Sequence, residues 1–110
     1  MARGVLTVQQ IARAGLVPAY VAGDALGHEF LNDGKTFVHV KNGSASPITV
    51  TIPTPGQVDG LDVAERTVSV AATSEKIIGP FPTTTYNQSG NKVYVDLSAV
   101  VTVTLGAFKI

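Results

Sequence analysis

Four side chains that could hold a metal ion lie close together in the first third of the sequence: Asp24, His28, Glu29 and Asp33. Carboxylates and imidazoles are common ligands of divalent cations. These four lack the i, i+4 or strand-alternating spacing that zinc sites use, so their pattern is a weak motif. A solvated loop is the favoured interpretation, and we expect no tightly held metal and no cofactor.

The second histidine, His39, lies between Val38 and Val40 in an alternating stretch. This pattern predicts a partly buried histidine that is hydrogen-bonded across a sheet. The chain has no G-x-S-x-G motif, no acid paired by spacing with a histidine, and no glycine-rich loop before a helix. It also has no cysteine, and therefore no thiolate nucleophile and no disulfide. The sequence predicts a protein that is not an enzyme and has no small-molecule substrate.

The length and the net charge of the chain limit the kinds of partner that it is expected to bind. A chain of 110 residues with eight Lys or Arg and eight Asp or Glu is one small domain with no net charge. We therefore expect neither nucleic acid nor an anionic membrane as a partner. Polar residues interrupt any signal-peptide core near the N-terminus, and no apolar run approaches the roughly 20 residues that span a bilayer.

Alternating Val- and Thr-rich segments separated by turn residues predict an all-β fold, an antiparallel β-sandwich or jelly-roll-like domain over residues 35–110. Strands are expected at 35–41, 48–52, 67–70, 75–78 and 92–97, followed by a last strand with Val101, Val103 and Leu105 on one face. The first two are expected to pair as a hairpin. Pro53, Pro55, Gly56 and Gly60 predict a long surface connection before the third strand.

Residues 1–34 are predicted to form an extended N-terminal arm with one short helix. Thr7 and Gln10 fit a capping box, and the apolar spacing that follows favours a helix over residues 8–14. The arm carries more apolar residues than a segment that stays in water would need. We expect it to fold against a partner, with Arg3 and Arg13 pairing with carboxylates, or else to pack across its own sandwich or a neighbouring subunit.

A rigid corner is predicted where Gly79 precedes Pro80, Phe81 and Pro82. The prolines fix the backbone and remove two hydrogen-bond donors, while the glycine permits a sharp turn. Two interpretations of Phe81 remain open. It either folds back to fill the open end of the sandwich beside Tyr86, or it faces another subunit.

The order of these motifs resembles that of a family of proteins, the capsid decoration (cement) proteins of tailed bacteriophages. The similar segments are Leu6 to Ile11, Asn32 to Asn42, Thr49 to Ile52 and Ile78 to Asn87. The resemblance implies a β fold, a homotrimer at local threefold positions, and binding to the major capsid protein on the virion surface after synthesis in the host cytoplasm. A head-tail connector or tail-completion protein is the alternative. A carbohydrate-binding module is less favoured because the chain has no Trp.

The resemblance and the apolar pattern together predict the residues that contact the capsid or a neighbouring subunit. Those of the arm are Arg3, Val5, Leu6, Ile11, Arg13, Leu16, Val17 and Tyr20, and those of the β domain are Phe37, Pro80, Phe81 and Pro82. Self-association as a trimer is expected from the mixed face of Phe37 and His39 together with the Phe81 corner.

Overall fold

The computed structural model describes residues 3–55, 57–58, 60–62 and 65–110. Residues 1–2 of the predicted arm and Gly56 of the predicted connection lie outside these residues. The elements within them are β1 (Gly4–Val5), β2 (Val8–Gln10), β3 (Val21–Ala22), β4 (His28–Leu31), β5 (Thr36–Asn42), β6 (Ile48–Ile52), β7 (Gln57–Val58), β8 (Leu61–Asp62), β9 (Arg66–Val70), β10 (Ser74–Ile78), α1 (Thr83–Tyr86), β11 (Lys92–Leu97) and β12 (Val103–Lys109).

Two sheets pack face to face, as predicted for an all-β sandwich. The first sheet has the strand order β1-β4-β11-β6-β9, and the second has the order β10-β5-β12-β2, with β3 also paired to β12. Most pairs are antiparallel, but β1 runs parallel to β4 and β2 runs parallel to β12. The sheets are therefore mixed, because the N-terminal segment adds a parallel strand to each.

The core lies between the sheets and follows the period-two alternation of the sequence. In β5, Val38 and Val40 are fully buried, while Phe37 and His39, which alternate with them, are partly exposed. Val50 and Ile52 of β6 supply the same kind of inner face in the first sheet. This alternation confirms the predicted faces of β5, because successive side chains of a strand point to opposite sides.

The predicted hairpin between β5 and β6 is wrong, because the two strands lie in opposite sheets. β5 pairs with β10 and β12, whereas β6 pairs with β9 and β11. Asn42 holds the crossing: its buried side chain donates to the carbonyls of Ser46, Val70 and Ala71 and accepts from Ser44. A turn-rich loop marks a change of direction, but it does not say whether the next strand stays in the same sheet.

The predicted helix over residues 8–14 is also wrong. Residues 8–10 form β2, and a turn follows in which Gly15 donates its backbone N–H to Ala12. A helix of two turns is marginal by itself, so hydrogen bonds to the edge of β12 outweigh a capping box.

The first 34 residues contribute strands to both sheets, so the sandwich begins before the predicted boundary at residue 34. β4 lies inside the first sheet, between β1 and β11. Earlier in the chain, the segment between β1 and β2 crosses from one sheet to the other. Leu6 lies in this segment and is only 3% exposed, as part of the core. Much of the predicted arm thus packs on its own sandwich, which was the second of the two possibilities considered for it.

The corner at residues 79–82 fills one end of the core. Phe81 is 3% exposed, and its ring centroid lies 5.3 Å from that of Tyr86 and 6.0 Å from that of Phe30. The packing interpretation of Phe81 is therefore the one realised in this chain. Val101, which was predicted in the last strand, is exposed and precedes β12.

We predict that the two parts of the arm differ in their effect on stability. Leu6→Ala should lower the free energy of unfolding by about 2–5 kcal/mol, because it leaves a cavity in the core. Val17→Ala, an exposed position of the same arm, should change it by no more than about 0.5 kcal/mol. Urea denaturation followed by circular dichroism measures both values. Equal effects of the two substitutions would contradict the assignment of Leu6 to the core.

Candidate docking surface

An apolar groove of about 520 Å³ lies on the outer face of the second sheet. Its lining consists of Gly34, Lys35, Phe37, Ile77, Gly79, Pro80 and Ile110. Ile77 is 65% exposed and Ile110 is 77% exposed, so two large aliphatic side chains stand in solvent at one place. A concentration of exposed apolar surface of this kind is typical of a contact site.

Strand register brings the groove residues together. Phe37 pairs across the sheet with Phe108, and the two rings stack with centroids 6.0 Å apart. On the other side of β5, Ile77 is paired with His39, next to Phe37. The predicted contact residues Phe37 and Pro80 thus lie in one groove.

Gly79 is what allows the Pro80 corner to approach β5. A Cβ atom on Gly79 would lie 2.9 Å from the Cα of Phe37 and 3.2 Å from the carbonyl oxygen of Thr36, and the glycine φ is +138°. No other residue type fits both this spacing and this φ without strain. The groove wall therefore depends on a glycine whose role in the sequence had been assigned only to turning the chain.

The charged side chain in the groove lining is that of Lys35. Lys35 is exposed, and no carboxylate lies within ion-pair distance of it among the described residues. The neighbouring Asp33 is already engaged: it accepts from the backbone N–H of Lys35 and from Thr36, and it lies 3.7 Å from Lys109. The Lys35 N–H has the largest effect on the pKa of Asp33 and holds it below its usual value; desolvation opposes this shift, and Thr36 and Lys109 add smaller effects that lower the pKa.

A second exposed apolar element, which we call the arm loop, consists of residues 11–18. It begins beside the groove, because Ile11 donates its backbone N–H to Lys109, the neighbour of Ile110. All residues of the arm loop except Leu16 are exposed, including the aliphatic Ile11 and Val17 and the cationic Arg13. The predicted contact residues Ile11, Arg13, Leu16 and Val17 thus share one loop.

The other predicted contact residues lie elsewhere. Arg3 forms an ion pair with Asp96, and its guanidinium lies 4.2 Å from the centroid of the Tyr94 ring. Val5 is exposed in β1, Pro82 is exposed beyond the corner, and Leu6 and Phe81 are buried in the core. These residues do not form a common surface with the groove.

Tyr20 fastens the end of the arm to the sheet. Its hydroxyl lies 2.7 Å from Nδ1 of His39, and its ring packs against Phe108 and beneath the Lys41 ammonium. Nε2 of His39 in turn lies 3.1 Å from the carboxylate of Glu75 on β10. The prediction of a partly buried His39 with hydrogen bonds across the sheet is confirmed.

The four suspected metal ligands do not share one site. Glu29 pairs with Lys92 at 2.9 Å, Asp33 faces Lys109, and His28 is buried in the first sheet. In the part of the chain that the structure describes, no three His, Cys, Asp or Glu side chains gather closely enough to hold a metal ion.

Sequence reasoning missed Lys35, Ile77 and Ile110 as members of the groove. Ile77 alternates with the buried Ile78 in β10, and this adjacency is a signal that one of the two side chains faces outward. The proximity of Ile110 to residues 77–80 has no counterpart in the sequence, because it arises from pairing of β5 with both β10 and β12.

Comparisons with family models, with curated proteins and with solved structures gave no match. The resemblance to phage decoration proteins therefore rests on the sequence motifs alone. Among the described residues, no helix has the length and apolar character needed to cross a lipid bilayer.

His28 is a buried titratable side chain in the first sheet. It is 2% exposed, and its Nε2 accepts the backbone N–H of Asp24. Burial lowers the pKa of His28 below its usual 6.5; the Asp24 carboxylate opposes this shift, and Arg3 adds to it. The nearby Gly4 backbone also opposes the shift, and Nδ1 makes no hydrogen bond among the described residues.

We predict that the folded state loses stability as the pH falls below 6.5. Between the lowered pKa and 6.5, the unfolded chain binds the His28 proton and the folded chain does not, so acid favours unfolding by up to about 1.4 kcal/mol per pH unit. His28→Gln keeps an acceptor for Asp24 and should flatten this slope, whereas His39→Gln should not. Urea denaturation at pH 5 to 8 measures how the free energy of unfolding depends on pH. An unchanged slope in His28→Gln would contradict the assignment of this dependence to His28.

Proposed function

We propose that this protein is a structural component of a tailed-bacteriophage virion that binds the outer surface of the capsid and stabilises the shell by bridging major capsid protein subunits. The observation that carries the proposal is the exposed apolar groove of Phe37, Ile77, Pro80 and Ile110 with the arm loop beside it. Four sequence segments that resemble capsid decoration proteins support the same role, and two of them, Asn32 to Asn42 and Ile78 to Asn87, supply groove residues.

The physical character of this surface suits attachment to a large protein assembly. Exposed aliphatic side chains release ordered water when a partner covers them, and this gain does not require a net charge. The chain has equal numbers of acidic and basic residues, so attachment would depend on surface shape and local charge. Such a protein works through contact: the arm loop would contact the capsid, and the groove would contact a neighbouring copy of the chain.

Within this proposal, the chain forms a homotrimer in which the groove faces a neighbouring subunit. The groove exposes Ile77 and Ile110 beside the rigid Pro80 wall, and a neighbouring subunit that covers them would remove this apolar surface from water. Closed cyclic symmetry is the usual outcome when one patch of a subunit contacts a different patch of the next.

We predict a solution mass about three times the 11.4 kDa of the chain, measured by light scattering coupled to size-exclusion chromatography. Ile77→Asp should shift the protein to monomers, because it places a charge in the apolar groove. Leu31→Asp, a similarly exposed position in the first sheet, is the control and should leave the mass unchanged. A wild-type monomer at micromolar concentration would contradict a stable trimer.

The role itself is tested on empty heads of the phage whose genome encodes the chain, assembled without it. We expect added protein to coat the whole shell in electron micrographs and to raise the temperature at which heads rupture. Density at one vertex only would favour the alternative, a head-tail connector or tail-completion protein. Absence of binding to heads would exclude both roles.

A further inference from the structure

The arm loop is held at both ends and free in the middle. Near one end, the Gln9 side chain makes two hydrogen bonds to the backbone of Ala19: its amide nitrogen donates to the carbonyl at 2.8 Å, and its amide oxygen accepts the N–H at 2.9 Å. These are the two bonds that a neighbouring strand would make. Gln9 thus ties together the two chain segments from which the loop emerges.

Two further contacts fix the base of the arm loop. Ile11 donates to Lys109 at 2.9 Å, which continues the pairing of β2 with β12. At the other end, the carbonyl oxygen of Ala19 lies so close to Gly106 that a Cβ atom there would be 2.7 Å away. The base therefore rests on the sheet, while Gly15 at the turn would have nothing within 4 Å of a Cβ atom.

The free part of the arm loop has an unusual composition for exposed chain. Apart from Arg13 it is apolar, and Val17 is 89% exposed. No carboxylate precedes Asp24 in the sequence, and Arg13 has no ion pair among the described residues. Apolar side chains presented on a closed loop, with one unpaired cation, fit a pocket that is apolar inside and bears carboxylates at its edge.

We infer that the arm loop is a preformed insertion element for such a pocket on a protein partner, and that Gln9 is the positioning residue that keeps it in its bound shape. The inference rests on the proposed function, so the partner is a capsid subunit. Holding the loop closed before binding lowers the entropy lost on association. Sequence reasoning did not single out Gln9, because its role depends on Ala19 lying opposite.

Two other occupants suit the arm loop less well. Stable attachment to an anionic bilayer needs several basic residues or bulky aromatic anchors, and the loop has one arginine and no aromatic residue. The groove of a second copy is edged by the exposed Lys35, which has the same charge as Arg13. A protein surface with acidic groups at its edge is therefore the favoured partner.

Quantitative binding to the same empty heads tests this inference. Val17→Asp should weaken binding more than about tenfold, because it places a carboxylate in an apolar pocket. Val101→Asp is the matched control, since Val101 is 75% exposed in another loop, and it should bind like the wild type. Arg13→Ala should weaken binding at low salt and reduce its salt dependence.

A second comparison isolates Gln9. Gln9→Ala should weaken binding about three- to tenfold, whereas Gln10→Ala, at the neighbouring exposed position, should not. The effect of Gln9→Ala should vanish when Val17→Asp is already present, because Gln9 acts only through the loop. If Gln9 only stabilised the fold, Gln9→Ala would lower the urea midpoint, and it would weaken binding by the same factor in the wild type and in Val17→Asp.

Several results would overturn the inference. If wild-type protein binds heads and Val17→Asp binds as well as Val101→Asp, the arm loop is not the contact, although the proposed function stands. Co-flotation of the wild type with vesicles of phosphatidylcholine and phosphatidylglycerol, lost in Val17→Asp, would assign the loop to a membrane. A change in solution mass caused by Val17→Asp would assign it to a second copy. If the wild type does not bind heads, the proposed function and this inference both fail.

Discussion

The register of β5 between β10 and β12 is the constraint on which the rest of the molecule depends. β5 pairs over its whole length with β12, so that Phe37 lies opposite Phe108 and Thr36 opposite Lys109. This register directs Val38 and Val40 into the core and leaves Phe37 outside. A slip by one residue would exchange the two faces, bury Phe37 and His39, and remove the floor of the groove.

Two buried asparagines, Asn32 and Asn42, fix the loops on either side of β5. Asn42 joins the crossing between the sheets to the end of β9, and Asn32 donates to the carbonyl of Phe81 and to the side chain of Asn87. Each of these amide side chains forms hydrogen bonds with several backbone or side-chain atoms. Losing the amide would leave buried polar atoms without partners, which is costly in an apolar environment. The groove wall at Pro80 is thus tied, through Phe81 and Asn32, to the turn that precedes β5.

The N-terminal segment combines buried anchor residues with an exposed apolar loop. Leu6 belongs to the core, and Tyr20 covers Phe108 on the outer face of the second sheet. Between these fixed points the arm loop leaves the surface and returns to it. Anchoring both ends to a stable sheet allows a short apolar segment to stay exposed, because the sandwich, and not the loop, supplies the stability.

The sequence by itself determined the positions of β5, β6, β9 and β11 and the inward-facing side chains of β5. The alternation in β5, β6, β9 and β11 was sufficient for this, because a half-buried strand imposes a period of two on its own residues. The bend at Asn32-Asp33-Gly34 is also encoded locally, because Asn, Asp and Gly are the residue types that such turns prefer. Only the tertiary structure decided that β5 and β6 belong to opposite sheets, that residues 8–10 form a strand, and that Ile77 and Ile110 meet at Phe37. These features depend on hydrogen bonds and contacts between residues far apart in the chain, and the energy of such contacts is not encoded in any local pattern.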